Sequence, residues 1–272
     1  YLGQNFNLGK ASISFTAAEF KKIVLVYLKA IQQTIELYHN VIKSCGRPVD
    51  FEMSIDETLT PTSPESHYFV AAELAAGGVE TTSLAPRFCG EFQKGIDYIG
   101  DREQFTREFD LHVQIAKHFG YKISVHSGSD KFAVFPIIGE KTAGEYHLKT
   151  AGTNWLEAVR LIAAKNPALY RKMHEFAVAH LAEAKKYYHI KAEADQVPDI
   201  TKMSDVELPG LMNLDDSRQV LHVTYGLLLL AENSDGTPLF RDAIYQTLNQ
   251  YEAEYYQGLE KHIGKHLELL GL

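Results

Sequence analysis

The chain has 272 residues, 45% of them hydrophobic and 23% charged, with a net charge of −8 when histidine is neutral. That acidic balance and the scattered Lys and Arg exclude nucleic acid as the main partner, because phosphate binding needs clustered cations. The apolar run at residues 227–231 is far short of the ~20 residues of a membrane span, and Cys45 and Cys89, outside any Cys-x-x-Cys spacing, exclude a disulfide framework and suit a reducing, cytoplasmic setting.

In chain order, residues 1–15 read as a loop that opens without Met, and a preceding segment is expected. Thr16 with Glu19 forms a capping box before a helix over residues 17–44, whose apolar positions include Phe20, Ile23, Tyr27, Ile31 and Ile35. Gly46 and Pro48 end it. Residues 49–56 alternate with period two, placing Phe51, Met53 and Ile55 on one face and Glu52, Ser54 and Asp56 on the other. Ser63-Pro64 is an N-cap followed by proline at the first helical position, and that helix closes at Gly77-Gly78.

The unit then recurs. Residues 79–87 read as a strand, 101–119 as a helix ended by Gly120, 121–126 and 145–150 as strands. Helices begin at Asn154 and at Asn166-Pro167, and residues 191–214 are irregular. Residues 219–224 (QVLHVT) are a fifth strand candidate, and residues 238–270 read as one long helix. Strands alternating with helices predict an α/β fold. It is expected to be a single (β/α) TIM-type barrel domain over residues 1–272: the C-terminal portion of the barrel, with a long C-terminal helix and its N-terminal strands upstream. An open doubly wound sheet is the runner-up, but no Gly-x-Gly-x-x-Gly turn is present.

The strand faces carry the chemistry. A buried parallel strand is usually apolar on both sides. Here one side of each carries reactive groups: Glu52 and Asp56; Ser83 and Arg87; Ser124 and His126; His147 and Lys149; His222 and Thr224. Two imidazoles and a carboxylate suit Zn²⁺, Mn²⁺, Ni²⁺ or Co²⁺, so His126 and His222, with Glu52 favoured over Asp56 as the carboxylate, are the expected ligands of a divalent metal. Asp56 and Lys149, at strand C-terminal ends, are the expected catalytic pair. Arg87, Ser127, Ser129, Asp130, Lys131 and His147 are expected to bind substrate, the Ser127–Lys131 loop offering hydroxyls, backbone N–H groups and a cation. The turn at residues 150–153 leads into a helix N-terminus, a natural place for an anion. A lone strand histidine is more often a core residue than a ligand; five strands with polar groups on one face weigh against that reading, since unpaired buried charge is disfavoured. His262 and His266, one turn apart among lysines, read as a solvated face, and Trp155 as core.

The runs Ser54-Ile55-Asp56-Glu57-Thr58, Leu84-Ala85-Pro86-Arg87-Phe88, Val125-His126-Ser127-Gly128-Ser129-Asp130-Lys131-Phe132, His147-Leu148-Lys149-Thr150-Ala151-Gly152-Thr153 and Val220-Leu221-His222-Val223-Thr224 together resemble the tagaturonate epimerase family, some of whose thermophilic members are described as tagatose 4-epimerases. The resemblance runs over nearly all of the chain. It implies a divalent-metal-dependent enzyme interconverting tagaturonate and fructuronate, and a longer N-terminus. The expected partner is a small sugar or sugar-acid substrate, with no membrane or nucleic-acid partner and a homo-oligomer open. The same residue types would serve a metal-dependent aldolase or ketose isomerase, whereas a non-catalytic sugar-binding protein would show aromatic platforms instead.

Overall fold

The computed structural model describes residues 1–150 and 152–272, and the backbone but not the side chain of Thr153. The turn at residues 150–153 thus lies partly outside the described residues. The first fifteen residues are not all loop: β1 (Asn5–Asn7) and β2 (Ser12–Ser14) pair antiparallel. Thr16 then caps α1 (Ala17–Asn40), its Oγ1 accepting from the Glu19 N–H while Glu19 reaches back to the Thr16 N–H. Buried Ile23, Tyr27, Ile31 and Tyr38 mark the inner stripe of α1.

The parallel sheet follows. It is built from β3 (Glu52–Ile55), α2 (Pro64–Ala76), β4 (Ser83–Pro86), α3 (Arg102–Phe119), β5 (Lys122–Val125), α4 (Phe135–Thr142) and β6 (Tyr146–Leu148). The strand order is β3-β4-β5-β6, with Glu52 opposite Ser83 and Ser124 opposite His147. Met53, Ile55, Leu84, Ile123 and Val125 are buried in one apolar core with α1 to α4. Side chains alternate along a strand, so the residues between them face the other way.

A second apolar core lies among α5 (Thr153–Lys165), α6 (Pro167–Ala179), α7 (Leu181–Ala184), α8 (Asp215–Val223), α9 (Tyr225–Leu230) and α10 (Arg241–Gln250), while α11 (Glu252–Leu269) packs Leu269 against the first core. The expected long C-terminal helix is interrupted at Tyr251, whose ψ of 37° leaves helical geometry.

The expected TIM-type barrel needs correction. Among the described residues the parallel sheet has four strands and does not close, and the rest of the chain is largely helical; small closed barrels take about eight strands. The fifth strand expected at residues 219–224 is helix α8. Every residue from Ser217 to Val223 is buried, and residues 219–224 span fewer than two helical turns, too short a window for a 3.6-residue period to show. QVLHVT then mimics the alternation of a strand. No helix among the described residues is long and apolar enough to cross a membrane.

Candidate functional site

Packing of Met53 and Ile55 into the core turns Glu52 onto the opposite face of β3. There its carboxylate meets groups from every other strand of the sheet. Glu52 Oε2 accepts from Ser83 Oγ at 2.5 Å on β4 and from His147 Nδ1 at 2.7 Å on β6. Glu52 Oε1 accepts from His126 Nε2 at 2.8 Å, just past β5. Ser124 Oγ lies 2.9 Å from His147 Nδ1. The other ring nitrogen of His126 faces Asp56 Oδ2 at 3.3 Å, and Asp56 Oδ1 accepts from Ser54 Oγ.

These contacts set the charge states. Burial pushes the Glu52 carboxyl up, but the hydrogen bonds from Ser83, His126, Ser124 and His147 together outweigh it and bring its pKa down to about 2. Asp56 is also held below its ordinary value, burial being outweighed by the hydrogen bonds from His126 and Ser54 and by the charge of His126. The hydrogen bond to Asp56 raises the pKa of His126; burial opposes this and Glu52 supports it. Two carboxylates therefore flank one imidazole and favour its protonated form.

Asp56, Pro86, Arg87, Phe88, Phe92, His126 and Ser127 line a cavity of about 110 Å³ beside this cluster. Arg87 Nη1 donates to the Thr58 carbonyl. Ser127 adopts φ 50° and accepts from Lys94 Nζ at 2.8 Å. Lys149, exposed just past β6, is close enough that its charge acts on both His126 and Lys94. Glu52, Asp56, Arg87, His126, Ser127, His147 and Lys149 thus gather on and beside one face of the sheet, with Asp56, Arg87, His126 and Lys149 each just past the C-terminal end of its strand. Lys94 joins them from the irregular segment between β4 and α3, where no periodicity or motif marks it.

Four other residues expected at the site lie elsewhere. Ser129 is buried, and its carbonyl accepts from Lys131 Nζ. Lys131 is wholly buried, and its ammonium also donates to the carbonyls of Gln93 and Ile96; burial lowers its pKa to about 7 against the pull of Asp130 and Asp97. Asp130 turns inward, bonded to Arg218 Nη2 at 2.7 Å and His262 Nε2 at 2.5 Å. Burial pushes its carboxyl up, but His262, Arg218 and His266 outweigh this and hold it at about 2. His222 comes from α8 rather than a strand and packs against Gly95 and Gly152. Among the described residues no hydrogen bond or ion pair joins it to Glu52 or His126.

The solvated reading of His262 and His266 also needs correction, since His266 is only 3% exposed. Asp130, His262 and His266 each present one ligand atom within 4.8 Å of the others, a spacing that could hold a metal ion. Hydrogen bonds occupy those atoms. His266 Nδ1 donates to the His262 carbonyl at 2.8 Å, and its Nε2 accepts from the Asp130 N–H at 3.1 Å. The group clamps α11 onto the loop after β5, a pairing across 132 residues that leaves no mark in local sequence.

Carboxylates and imidazoles on parallel strand ends occur in many enzymes, so the geometry alone names none. A family model described as UxaE: tagaturonate epimerase matches residues 1–270. The chain belongs to this family. A tagaturonate/fructuronate epimerase from Thermotoga maritima is 44% identical over 271 residues, covering 99% of this chain and 55% of that protein. The native crystal structure of fructuronate-tagaturonate epimerase UxaE from Cohnella laeviribosi superposes with a TM-score of 0.98 at 55% identity, covering 100% of this chain and 55% of that one. A crystal structure of the same enzyme with one glycerol superposes equally well. This UxaE-family chain therefore spans about half the length of the relatives it matches.

By residue type the donors around Glu52 suit a divalent cation, but among the described residues only Asp130, His262 and His266 bring three such ligand atoms within 4.8 Å of one another. One carboxylate aims its two oxygens at two imidazole nitrogens, and a cation can replace the protons shared along those hydrogen bonds. Ser83, donating to the same carboxylate, would orient it from outside the ligand set.

Proposed function

We propose that this chain carries the site of a tagaturonate–fructuronate epimerase, inverting the hydroxyl-bearing carbon two bonds from the keto carbon of a keto-sugar acid. What supports the reading is the Glu52–His126–Asp56 chain of hydrogen bonds at the sheet end, in a member of the UxaE family. Glu52, His126 and His147 are the residues that would hold a divalent metal. When bound there, such an ion would polarise the keto oxygen of the substrate.

The hydrogen on the inverted carbon is not acidified by the carbonyl directly, so the reaction is written as retro-aldol cleavage and re-addition. Asp56, ionised and hydrogen-bonded to His126, takes the proton from the carbinol oxygen. The carbon–carbon bond next to that centre breaks, leaving an aldehyde and an enolate whose negative charge the Lys149 ammonium faces. The aldehyde turns its other face, the bond re-forms, and Asp56 returns the proton to the alkoxide. Arg87 and Ser127, on the cavity wall, hold substrate oxygens during the turn.

The test is a product assay on the full-length enzyme with tagaturonate and, separately, fructuronate, before and after treatment with a chelator. Interconversion that stops with the chelator and returns with added divalent metal is expected. Cleavage to triose-sized products without epimer would favour an aldolase instead.

A further inference from the structure

A second cavity, about 350 Å³, is lined by Lys94, Gly152, Trp155, Tyr188, His222 and Tyr225. It adjoins the first through one hydrogen bond: Lys94 on its wall donates to Ser127, which lines the Asp56–His126 cavity. His222 is only 7% exposed, and its Nδ1 has no hydrogen-bond partner among the described residues. Its ring is seated between two glycines with positive φ. A Cβ at Gly152 would lie 2.3 Å from Cε1 of the ring, and one at Gly95 3.3 Å from Nδ1. A buried imidazole nitrogen left unpaired is disfavoured and asks for a partner.

The other walls suit a sugar. Trp155 Nε1 donates to the Leu221 carbonyl at 2.7 Å, which fixes the indole, and the Tyr225 ring lies 6.4 Å away, tilted by 56°. Aromatic faces of this kind pack against the C–H groups of a sugar chain while polar tips meet its hydroxyls. Lys94 is a half-buried cation with no ion pair among the described residues. Burial, and then the charge of Lys149, lower its pKa, against Asp56 and Glu57. An ammonium so placed is better stabilised by an anionic ligand than by water.

We infer that this cavity is the subsite for the carboxylate end of the keto-sugar acid, with Lys94 the counter-ion of the carboxylate and His222 the hydrogen-bond partner of the neighbouring hydroxyl. The inference rests on the sugar-acid reading above and assigns the two ends of one substrate to the two cavities. The reacting carbons lie at Asp56 and His126, and the acid tail reaches past Ser127 to Lys94.

Galactonate and galactitol, six-carbon chains with and without a carboxylate and neither of them a ketose, are the probes. Their binding to the full-length enzyme is measured by calorimetry for the wild type, Lys94→Met, Lys94→Arg and His222→Gln, with thermal melting as the check on folding. Wild-type protein should prefer galactonate by about tenfold or more, Lys94→Met should lose that preference without weakening galactitol, and Lys94→Arg should restore most of it. His222→Gln should weaken both probes. A wild type with no preference, or a Lys94→Met variant that weakens both probes equally, overturns the counter-ion role; unchanged binding in His222→Gln overturns that of His222. Should the wild type show the preference yet fail to interconvert tagaturonate and fructuronate, the subsite stands and the reaction assigned to it does not.

Discussion

Glu52 and His147 stand on the two outer strands of the sheet, β3 and β6, and their side chains meet at 2.7 Å. In a flat sheet three strand spacings would hold their backbones roughly 14 Å apart, too far for a carboxylate and an imidazole to bridge. The sheet is therefore curled about this face, and the curl creates the site. Because one carboxylate collects donors from all three other strands, removing it should unravel the whole cluster. Glu52→Gln is expected to lower divalent-metal affinity and epimerisation by about 100-fold or more, read by metal titration alongside the product assay. Full metal occupancy in that variant would refute its place among the ligands.

Among the described residues, Asp56 joins the same cluster through His126. Asp56→Asn keeps the shape, removes the base, and should reduce kcat by about 10²–10⁴-fold while metal content stays at the wild-type level. Loss of metal with activity would instead make Asp56 a ligand.

Asp130 and Lys131 are buried parts of the scaffold. Asp130→Ala leaves Arg218 and His262 facing each other without their carboxylate and should destabilise the fold by about 3–5 kcal/mol. Lys131→Met leaves three carbonyls without a donor, and its cost should fall in the range of about 1–3 kcal/mol for each acceptor that stays unpaired. Urea denaturation measures both. If either variant melts like the wild type but loses affinity for sugar acid, the residue faces substrate after all.

Acid should weaken the protein in two stages. Tyr121, His67 and His112 form a buried chain, with Tyr121 Oη 2.6 Å from His67 Nε2 and the two Nδ1 atoms 2.9 Å apart. Burial, with the charge of His112, holds His67 well below 6.5, and burial alone brings His112 and His174 down to about 4. From pH 6.5 downward the unfolded chain takes up these protons and the folded one does not, so stability falls until about pH 4 and their effect then levels off. Asp130 acts lower on the scale: its contribution is intact above its ordinary pKa of 3.8 and is lost as pH falls toward about 2. Urea midpoints at steps between about pH 8 and 2 trace both stages. A flat profile across the first window would show that the buried imidazoles already carry protons in the folded state.

What the sequence determined by itself is local. The capping box at Thr16 and Glu19, the N-cap at Ser63 and the two-residue alternation through Glu52 and Asp56 each need only a few neighbours, because hydrogen bonds to the nearest backbone and a period of two are written within one turn or one strand. That alternation also put Glu52, Asp56, His126 and His147 on the faces opposite the core. Only the tertiary structure decided that, among the described residues, the parallel sheet is open at four strands yet curls enough to join Glu52 to His147. It also decided that residues 219–224 are a helix buried on all sides, and that Asp130 turns away from the site toward Arg218 and His262. Those outcomes depend on which surfaces meet across tens to hundreds of residues. A stretch of six residues is too short to show a helical period, and an aspartate with a distant partner carries no local signal for that meeting.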